Sequence, residues 1–527
     1  MRKDRTGANV SPPHFAWTQQ FLLFALFFAG LMLLHAPLLR LPYFWDEAGY
    51  YIPAARDLYL SGSLIPQSTP SNAHPPLVMT VLAAAWRLAG YSPLVTRTVM
   101  LAFAAFALLG VFRLARAAAS PPVAWATTVL VAVYPVFFAQ SSLAHVDLAA
   151  AAFSIWGLTA YLEDRSRKVV FWFTLGVLTK ETAILAPLAL FGWDVLARWL
   201  SAQWREFGPP AGRRTGGFFL LLPLLPLSFW YEYHFAKTGF LFGNPEFVRY
   251  NVTATLSAFR IPLALGLRLW QVFGYFGLWL LTLAGMLAMR RAPIVENGEA
   301  RPRVPIWIQI EFLVVLLSYL LFMSAVGGAE LARYMLPVVP LVILVFVSTL
   351  WRRLRYWRLV VVVIAIAFVA GLLVNPPYGF APEDNLAYRD YVIMHAEASR
   401  FLTLRYPGAR VLTAWPASDE LSRPWLGYVR QPFPVVRIED FAPAQVALAG
   451  AARDRFNVAL VFSTKYQPAH PLLEDWGPWR RTKEKYFGYH RDLAPEEIAS
   501  RLGGTVVFSK RSDGQWVAVI ERTRMTW

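Results

Sequence analysis

Asp46 and Glu47 stand side by side in YFWDEAGYY, flanked by Tyr43, Phe44, Trp45, Tyr50 and Tyr51. Partly desolvated, aromatic surroundings strengthen a carboxylate's hold on a proton and suit it to general-base work. An interfacial aromatic belt carrying incidental acids is the competing reading. Asp147 in SSLAHVDLAA is a second acid, set where an apolar run begins and a carboxylate also complements a helix N-terminus. His145, two residues earlier, offers a metal or substrate ligand. His74 in NAHPPLVMT either joins such a site or simply forms a rigid turn with Pro75 and Pro76.

Lys180 and Glu181 in LTKETA interrupt apolar sequence at membrane depth. Charges there cost ~2.5–3.5 kcal/mol each unless paired or solvated, so a mutual or cavity-lining ion pair is expected. Arg333 and Tyr334 in GGAELARYMLPVVPL supply a guanidinium fitted to phosphate oxygens and a phenol beside it, or else a snorkelling pair. Residues 242–251 (FGNPEFVRYN) add polar and aromatic groups, Tyr250 among them, able to contact a sugar or a lipid headgroup.

These side chains need a scaffold, and the composition says which kind. Of 527 residues 57% are hydrophobic and only 16% charged, which excludes a single soluble core and low-complexity disorder. Apolar runs repeatedly approach the ~20 residues that cross a bilayer. Eleven spans are expected near 19–38, 95–113, 122–141, 148–162, 169–179, 182–199, 217–236, 262–289, 306–326, 334–351 and 357–375. Residues 74–88 are too short and too broken by proline to cross, and are expected to rest in the interface. The first run lacks a small-residue cleavage pattern and should be retained as a span. Zero cysteines exclude disulfides, thiolate nucleophiles and Cys-ligated zinc.

The net charge of +17 is read as an orientation signal rather than a nucleic-acid footprint. With Arg2, Lys3 and Arg5 cytoplasmic, the inside loops also collect Arg113, Arg116, Arg165, Arg167, Lys168, Arg198, Arg205, Arg213, Arg214, Arg290, Arg291, Arg301, Arg303, Arg352, Arg353, Arg355 and Arg358. The first loop (39–94), the loop around Asp147, the loop 237–262, the tip at Lys180 and Glu181, and Arg333 then share the outer face. Beyond residue 379 the long apolar runs stop. Strand-like pieces at 409–415, 457–463, 505–510 and 516–521 alternate with helix-like ones at 388–404, 443–454 and 495–502, so 380–527 is expected to be an extracytoplasmic α/β domain following a transmembrane domain of residues 1–379.

Carboxylates, a lysine, an arginine and aromatics gathered at one lipid–water boundary suit a substrate with an apolar tail, an anionic phosphate and a polar reactive head. The order of DE in the first outer loop, HPPL at its end, an acid in the second outer loop, LTKE after two further spans and RYxLPxxP near the last spans resembles the integral-membrane glycosyltransferases of the C superfamily. The nearest pattern is family 39, which includes protein O-mannosyltransferases, the aminoarabinose transferase of lipid A and galacturonosyl transferases of rhizobial lipopolysaccharide. The resemblance covers roughly residues 19–350, and residues 380–527 fall outside it.

The resemblance implies a polytopic helical fold and an inverting transfer from a polyprenyl-phosphate sugar to a hydroxyl of a glycan, lipid or protein, on the extracytoplasmic face of a plasma or inner membrane. Asp46 takes the position of the family's catalytic acid, Glu47 completes its pair, Asp147 corresponds to the second-loop acid and His74 to the histidine of the HPP turn. Lys180 and Arg333 would lie near the lipid phosphate. Glu181 departs from the glycine many relatives carry there. A donor without a nucleotide diphosphate needs no metal, although a divalent ion at Asp46, Asp147 or Glu181 is compatible with the residues. A transporter is the rival reading, disfavoured because the polar residues lie at one face and no inverted repeat is visible; a subunit that merely anchors the external domain leaves Lys180 and Glu181 without a purpose.

Overall fold

The computed structural model describes residues 17–199, 217–468, 471–472 and 476–523. Arg2, Lys3, Arg5, Arg205, Arg213 and Arg214 of the orientation argument lie outside the described residues. Every expected apolar run carries helix. In chain order the α-helices of this part are α1 (Trp17–Leu34), α2 (Ile52–Ser61), α3 (Leu77–Ala89), α4 (Pro93–Ala118), α5 (Pro121–Val133), α6 (Pro135–Gln140), α7 (Val146–Leu162), α8 (Ser166–Thr179), α9 (Leu185–Trp199), α10 (Leu224–Thr238), α11 (Pro245–Val248), α12 (Arg260–Phe273), α13 (Leu278–Met289), α14 (Ile306–Ala325), α15 (Val339–Arg353) and α16 (Trp357–Leu373), with α2, α3 and α11 outside the expected spans. Among the described residues, Trp17–Leu34, Pro93–Ala118, Arg260–Met289 and Ile306–Ala325 are long and apolar enough to cross a membrane by themselves.

The breaks follow from local chemistry. Pro135 splits the expected 122–141 run, because a proline removes an N–H and displaces its predecessor from helical geometry: Tyr134 sits at φ −63°, ψ 125°. The expected 262–289 run is broken where Gly277 at φ 89° and Phe276 at φ 46° separate α12 from α13. Ser92 accepts from the Val95 N–H to start α4, with Pro93 in the first turn. The helix α7 is buried from Val146 to Tyr161, the behaviour of a helix apolar on all sides. Its small residues let neighbours approach: a Cβ on Gly157 would stand 2.5 Å from the Phe173 ring of α8. Large apolar side chains remain exposed on α1 (Phe21, Leu22, Leu26) and α16 (Leu359, Val362, Ile366).

A short hairpin, β1 (Val295–Glu296) with β2 (Glu299–Ala300), links α13 to α14. The C-terminal region holds α17 (Ala387–Arg405), β3 (Val411–Ala414), α18 (Ala417–Ser422), β4 (Val435–Ile438), α19 (Pro443–Ala451), β5 (Val458–Phe462), α20 (Gly477–Phe487), α21 (Pro495–Leu502), β6 (Gly504–Ser512) and β7 (Gln515–Arg522). Its sheet runs β4-β3-β5-β7-β6, parallel across the first three strands and antiparallel across the rest. The β6–β7 turn uses Asp513 at φ 36° and Gly514 at φ 86°, as a two-residue hairpin turn requires. Strand β4 and helices α18 and α20 were not expected from the sequence. The β4 stretch lies between Pro434 and Glu439 with only four residues, too short to show a period.

One buried core joins this sheet to the first loop. Tyr43, Phe44, Tyr51 and Ile52 pack in the same cluster as Tyr388, Tyr391, Leu412 and Val461. Polar ties cross the same seam: Tyr91 donates to the Trp425 carbonyl (2.8 Å), Tyr428 to that of Tyr43 (3.0 Å) and Arg423 to that of Ser68 (2.8 Å).

Candidate active site

The first loop enters its site through a strained bend. Trp45 is held at φ 40°, a left-handed conformation that a bulky side chain adopts only where its surroundings impose it. The chain then winds through a single wide turn, Glu47–Tyr51. The bend sends the two adjacent carboxylates in different directions. Glu47 is fully buried and spends both oxygens on the scaffold: Oε1 accepts from Arg97 (2.6 Å) and the Ala144 N–H (2.6 Å), Oε2 from Arg97 (3.0 Å) and the Phe44 N–H (2.9 Å). The structure therefore places Glu47, expected among the catalytic residues, in the wall, bonded to Arg97 and to the backbone. Asp46 keeps a fifth of its side chain exposed.

Arg333, from the turn before α15, ties the site together. Its Nη2 donates to Asp46 Oδ2 at 2.5 Å, its Nε lies 3.2 Å from Asp147 Oδ2, and its Nη1 donates to Glu383. Asp147 Oδ1 accepts from Lys180 Nζ at 2.5 Å. Asp46, Asp147, Lys180 and Arg333 thus form one continuous ion-pair network. Of the two arrangements expected for Lys180 and Glu181, a mutual pair or pairing within a cavity, the side chains take separate partners: Lys180 turns to Asp147, and Glu181 takes His74 Nδ1 at 2.8 Å. Lys180 is extended (φ −151°, ψ 132°), so consecutive side chains there diverge.

Tyr334 sits among three cations. Lys180 Nζ lies 4.1 Å from its ring centroid, Arg268 Cζ 5.5 Å and Arg333 Cζ 5.7 Å, all within cation–π range. Arg268 is fully buried and pairs with Glu330 at 2.8 Å; Arg260 shares that carboxylate at 2.9 Å. Tyr250, more than half exposed, reaches the same neighbourhood from the loop between α11 and α12, where it feels Tyr334 and Asp46.

The two histidines frame Tyr51, whose ring centroid is 6.2 Å from His74 and 5.8 Å from His145. His145 Nδ1 stands 2.8 Å from Gln140 Oε1 and 3.2 Å from Arg333 Nη1, and its Nε2 is buried without a hydrogen-bond partner. Burial, with Arg333 next, pushes its pKa well below the ordinary imidazole value, so it is neutral.

Glu383 and Asp384, in the short turn after α16, were missed by the sequence reading, as were Arg97 and Arg268. Burial raises Glu383 to about 8 against the pull of Arg333, with Asp46 and Asp384 adding to the rise; burial raises Asp384, which accepts from the Tyr275 hydroxyl at 2.7 Å, to about 7. No local signal marks APED as part of a site. Arg97 and Arg268 carried one: a charge inside an apolar helix demands a partner.

Among the described residues, Asp46, His145 and Glu383 offer ligand atoms within 4.8 Å of one another, a donor set of two carboxylates and an imidazole that suits a divalent ion in type. Arg333 already contacts all three. An ion placed among them would have to displace the guanidinium, so the site does not fit a metal while Arg333 remains in place.

Residues 73–230 match the family model of dolichyl-phosphate-mannose-protein mannosyltransferases. The fold is similar to that of ArnT from Cupriavidus metallidurans in two crystal structures. One, bound to undecaprenyl phosphate, aligns with a TM-score of 0.51 and 16% identity over 96% of this chain and 98% of the other. The apo form aligns with a TM-score of 0.53 and 14% identity over 95% and 98%. No curated protein matches the chain in sequence. The order of motifs and the course of the whole chain agree: this protein has the fold of the C superfamily of integral-membrane glycosyltransferases and resembles its family 39.

Proposed function

We propose that the protein is an inverting glycosyltransferase that moves a sugar from a polyprenyl-phosphate donor to a hydroxyl acceptor. The observation that carries this reading is the meeting of Asp46, Asp147, Lys180 and Arg333, four residues scattered over the chain, in one ion-pair network open only at Asp46. In this reading the chain crosses the membrane eleven times with α3 lying in the interface, and the site and residues 380–527 form the extracytoplasmic side. The ArnT structure that holds undecaprenyl phosphate supports a prenyl-linked donor.

The acceptor hydroxyl attacks the anomeric carbon, its oxygen forming the new glycosidic bond while its proton passes to Asp46. The bond from the anomeric carbon to the phosphate oxygen breaks, and its electron pair leaves with the polyprenyl phosphate. Such a leaving group needs fixed positive charge rather than a proton. Lys180, Arg268 and Arg333, grouped around Tyr334, supply it. His145, neutral and wedged between Gln140 and Arg333, orients the guanidinium. His74 and Glu181 hold the end of the first loop against the break between α8 and α9, and Tyr250 covers the mouth.

Purified protein supplied with polyprenyl-phosphate-linked sugars and membrane acceptors should transfer sugar. General-base help is worth ~10²–10⁴-fold, so Asp46→Asn should lose turnover by about that factor and keep undecaprenyl phosphate binding. Full turnover in that variant removes Asp46 from the role.

A further inference from the structure

The acceptor must reach Asp46 where its side chain is exposed. Asp46 keeps 20% of its side chain accessible, against 2% for Arg333, 4% for Asp147 and 5% for Glu383. Three half-buried aromatic rings cluster around the turn that carries Asp46. Trp45 and Tyr50 come from the strained loop itself, and Trp415 comes from the end of β3 in the C-terminal region. The Trp415 ring lies against the Gly49 backbone, where a Cβ would stand 2.5 Å from it, and its centroid is 5.4 Å from that of Trp45 and 5.7 Å from that of Tyr50. Trp415 also donates a side-chain hydrogen bond to Asp419, which fixes its ring, and Asp419 and the exposed Arg437 both act electrostatically on Tyr50.

We propose that Trp45, Tyr50 and Trp415 form the acceptor subsite, and that the acceptor is a carbohydrate whose ring stacks on these aromatics beside Asp46. A sugar ring has an apolar C–H face and an edge of hydroxyls. Rings held by their neighbours match the face at little cost in ordering, because Trp and Tyr have few rotatable bonds and are already packed. Asp419 and Arg437 stand at the rim to accept from and donate to the edge hydroxyls. The inference deepens the transferase reading and rests on it.

The test uses the full-length protein in lipid nanodiscs, a panel of synthetic undecaprenyl-phosphate-linked radiolabelled sugars, and membranes from cells lacking the gene as acceptor. The products are separated into glycan, simple-lipid and protein fractions. Label in the glycan fraction is expected. Trp415→Leu should raise the acceptor KM roughly 10-fold, the size of one lost stacking contact, while Trp415→Phe stays near wild type and Arg437→Ala raises it less. Undecaprenyl phosphate binding by each variant, unchanged from wild type, shows that the donor side is intact. Label in protein or in simple lipid overturns the carbohydrate assignment, and unchanged acceptor KM values in both Trp415→Leu and Arg437→Ala overturn the subsite. Absence of transfer from any donor by the wild-type protein instead overturns the transferase reading, and this inference falls with it.

Discussion

Asp46 and Asp147 share one guanidinium: Arg333 Nη2 lies 2.5 Å from the first and Arg333 Nε 3.2 Å from the second. With Glu383 also bonded to it, Arg333 ties three acidic side chains together and offsets the repulsion between Asp46 and Asp147 in a medium of low dielectric. A single resident cation thus keeps Asp46, Asp147 and the C-terminal region in register.

Glu383→Ala should therefore act on both chemistry and positioning. Losing the acceptor oxygen frees one arm of Arg333, which shifts the guanidinium toward Asp46 and Asp147 and makes Asp46 a weaker base. We expect kcat to fall by about 10-fold or more with donor KM changed less, and Glu383→Asp to recover part of the loss. Steady-state kinetics with varied donor measures the split; an unchanged kcat, or an equal fall in both variants, would contradict the positioning role.

The pH dependence of stability follows from the same residues. Burial raises Glu383 from 4.5 to about 8 and Asp384 from 3.8 to about 7. The folded protein then binds more protons than the unfolded chain between those limits, so stability is highest below about pH 4 as far as these two groups are concerned and declines as pH rises toward 8. Thermal unfolding in detergent across pH 5 to 8 should show that decline, and Glu383→Gln with Asp384→Asn should flatten it.

Glu47 and Arg97 are both fully buried and satisfy each other and the backbone of the first loop. Removing one partner strands the other. Glu47→Leu should destabilise the protein by about 3–5 kcal/mol, whereas Glu47→Leu combined with Arg97→Met should recover much of the loss. Melting temperatures of the single and double variants decide it; a single variant as stable as wild type would contradict the anchoring role.

Lys180 pairs with Asp147 and lies on the Tyr334 ring. Lys180→Ala should weaken undecaprenyl phosphate binding about 10-fold or more and slow turnover, and Lys180→Arg should keep much of the binding, since charge rather than shape is needed at that point. Titration with undecaprenyl phosphate in nanodiscs reads the first effect directly.

The close approach of α7 and α8 depends on Gly157. Gly157→Ala places a methyl 2.5 Å from the Phe173 ring and should cost about 1–3 kcal/mol, with Phe173→Leu restoring part of it. Thermal melts of the single and double variants check this.

Much of the scaffold was legible because apolar periodicity and proline are local signals. Runs such as FLLFALFFAGLMLL and EFLVVLLSYLLF declare helices without reference to anything distant, and Pro121 and Pro135 mark where helices begin. Asp46, Asp147, Lys180 and Arg333 were legible because a charge beside or within apolar sequence demands an explanation. Glu383 was not, since its surroundings in sequence are ordinary loop and its burial comes from Gln140, Arg333 and His145, all far away in the chain. The unequal fates of Asp46 and Glu47 were illegible for a related reason: two adjacent carboxylates look equivalent until the bend at Trp45 and the position of Arg97 separate them.

Amino-acid order alone determined that this chain is largely helical, with apolar runs able to span a membrane and ionic side chains it has to neutralise, because the cost of a charge in an apolar run is set by the run itself. Tertiary structure alone decided who neutralises whom. Lys180 turned from its neighbour Glu181 to Asp147, Glu47 went to Arg97, and Glu383 arrived from beyond the last apolar helix. Ion pairing depends on distance in space, and distances across a folded chain are set by the packing of helices and sheet rather than by separation along the sequence.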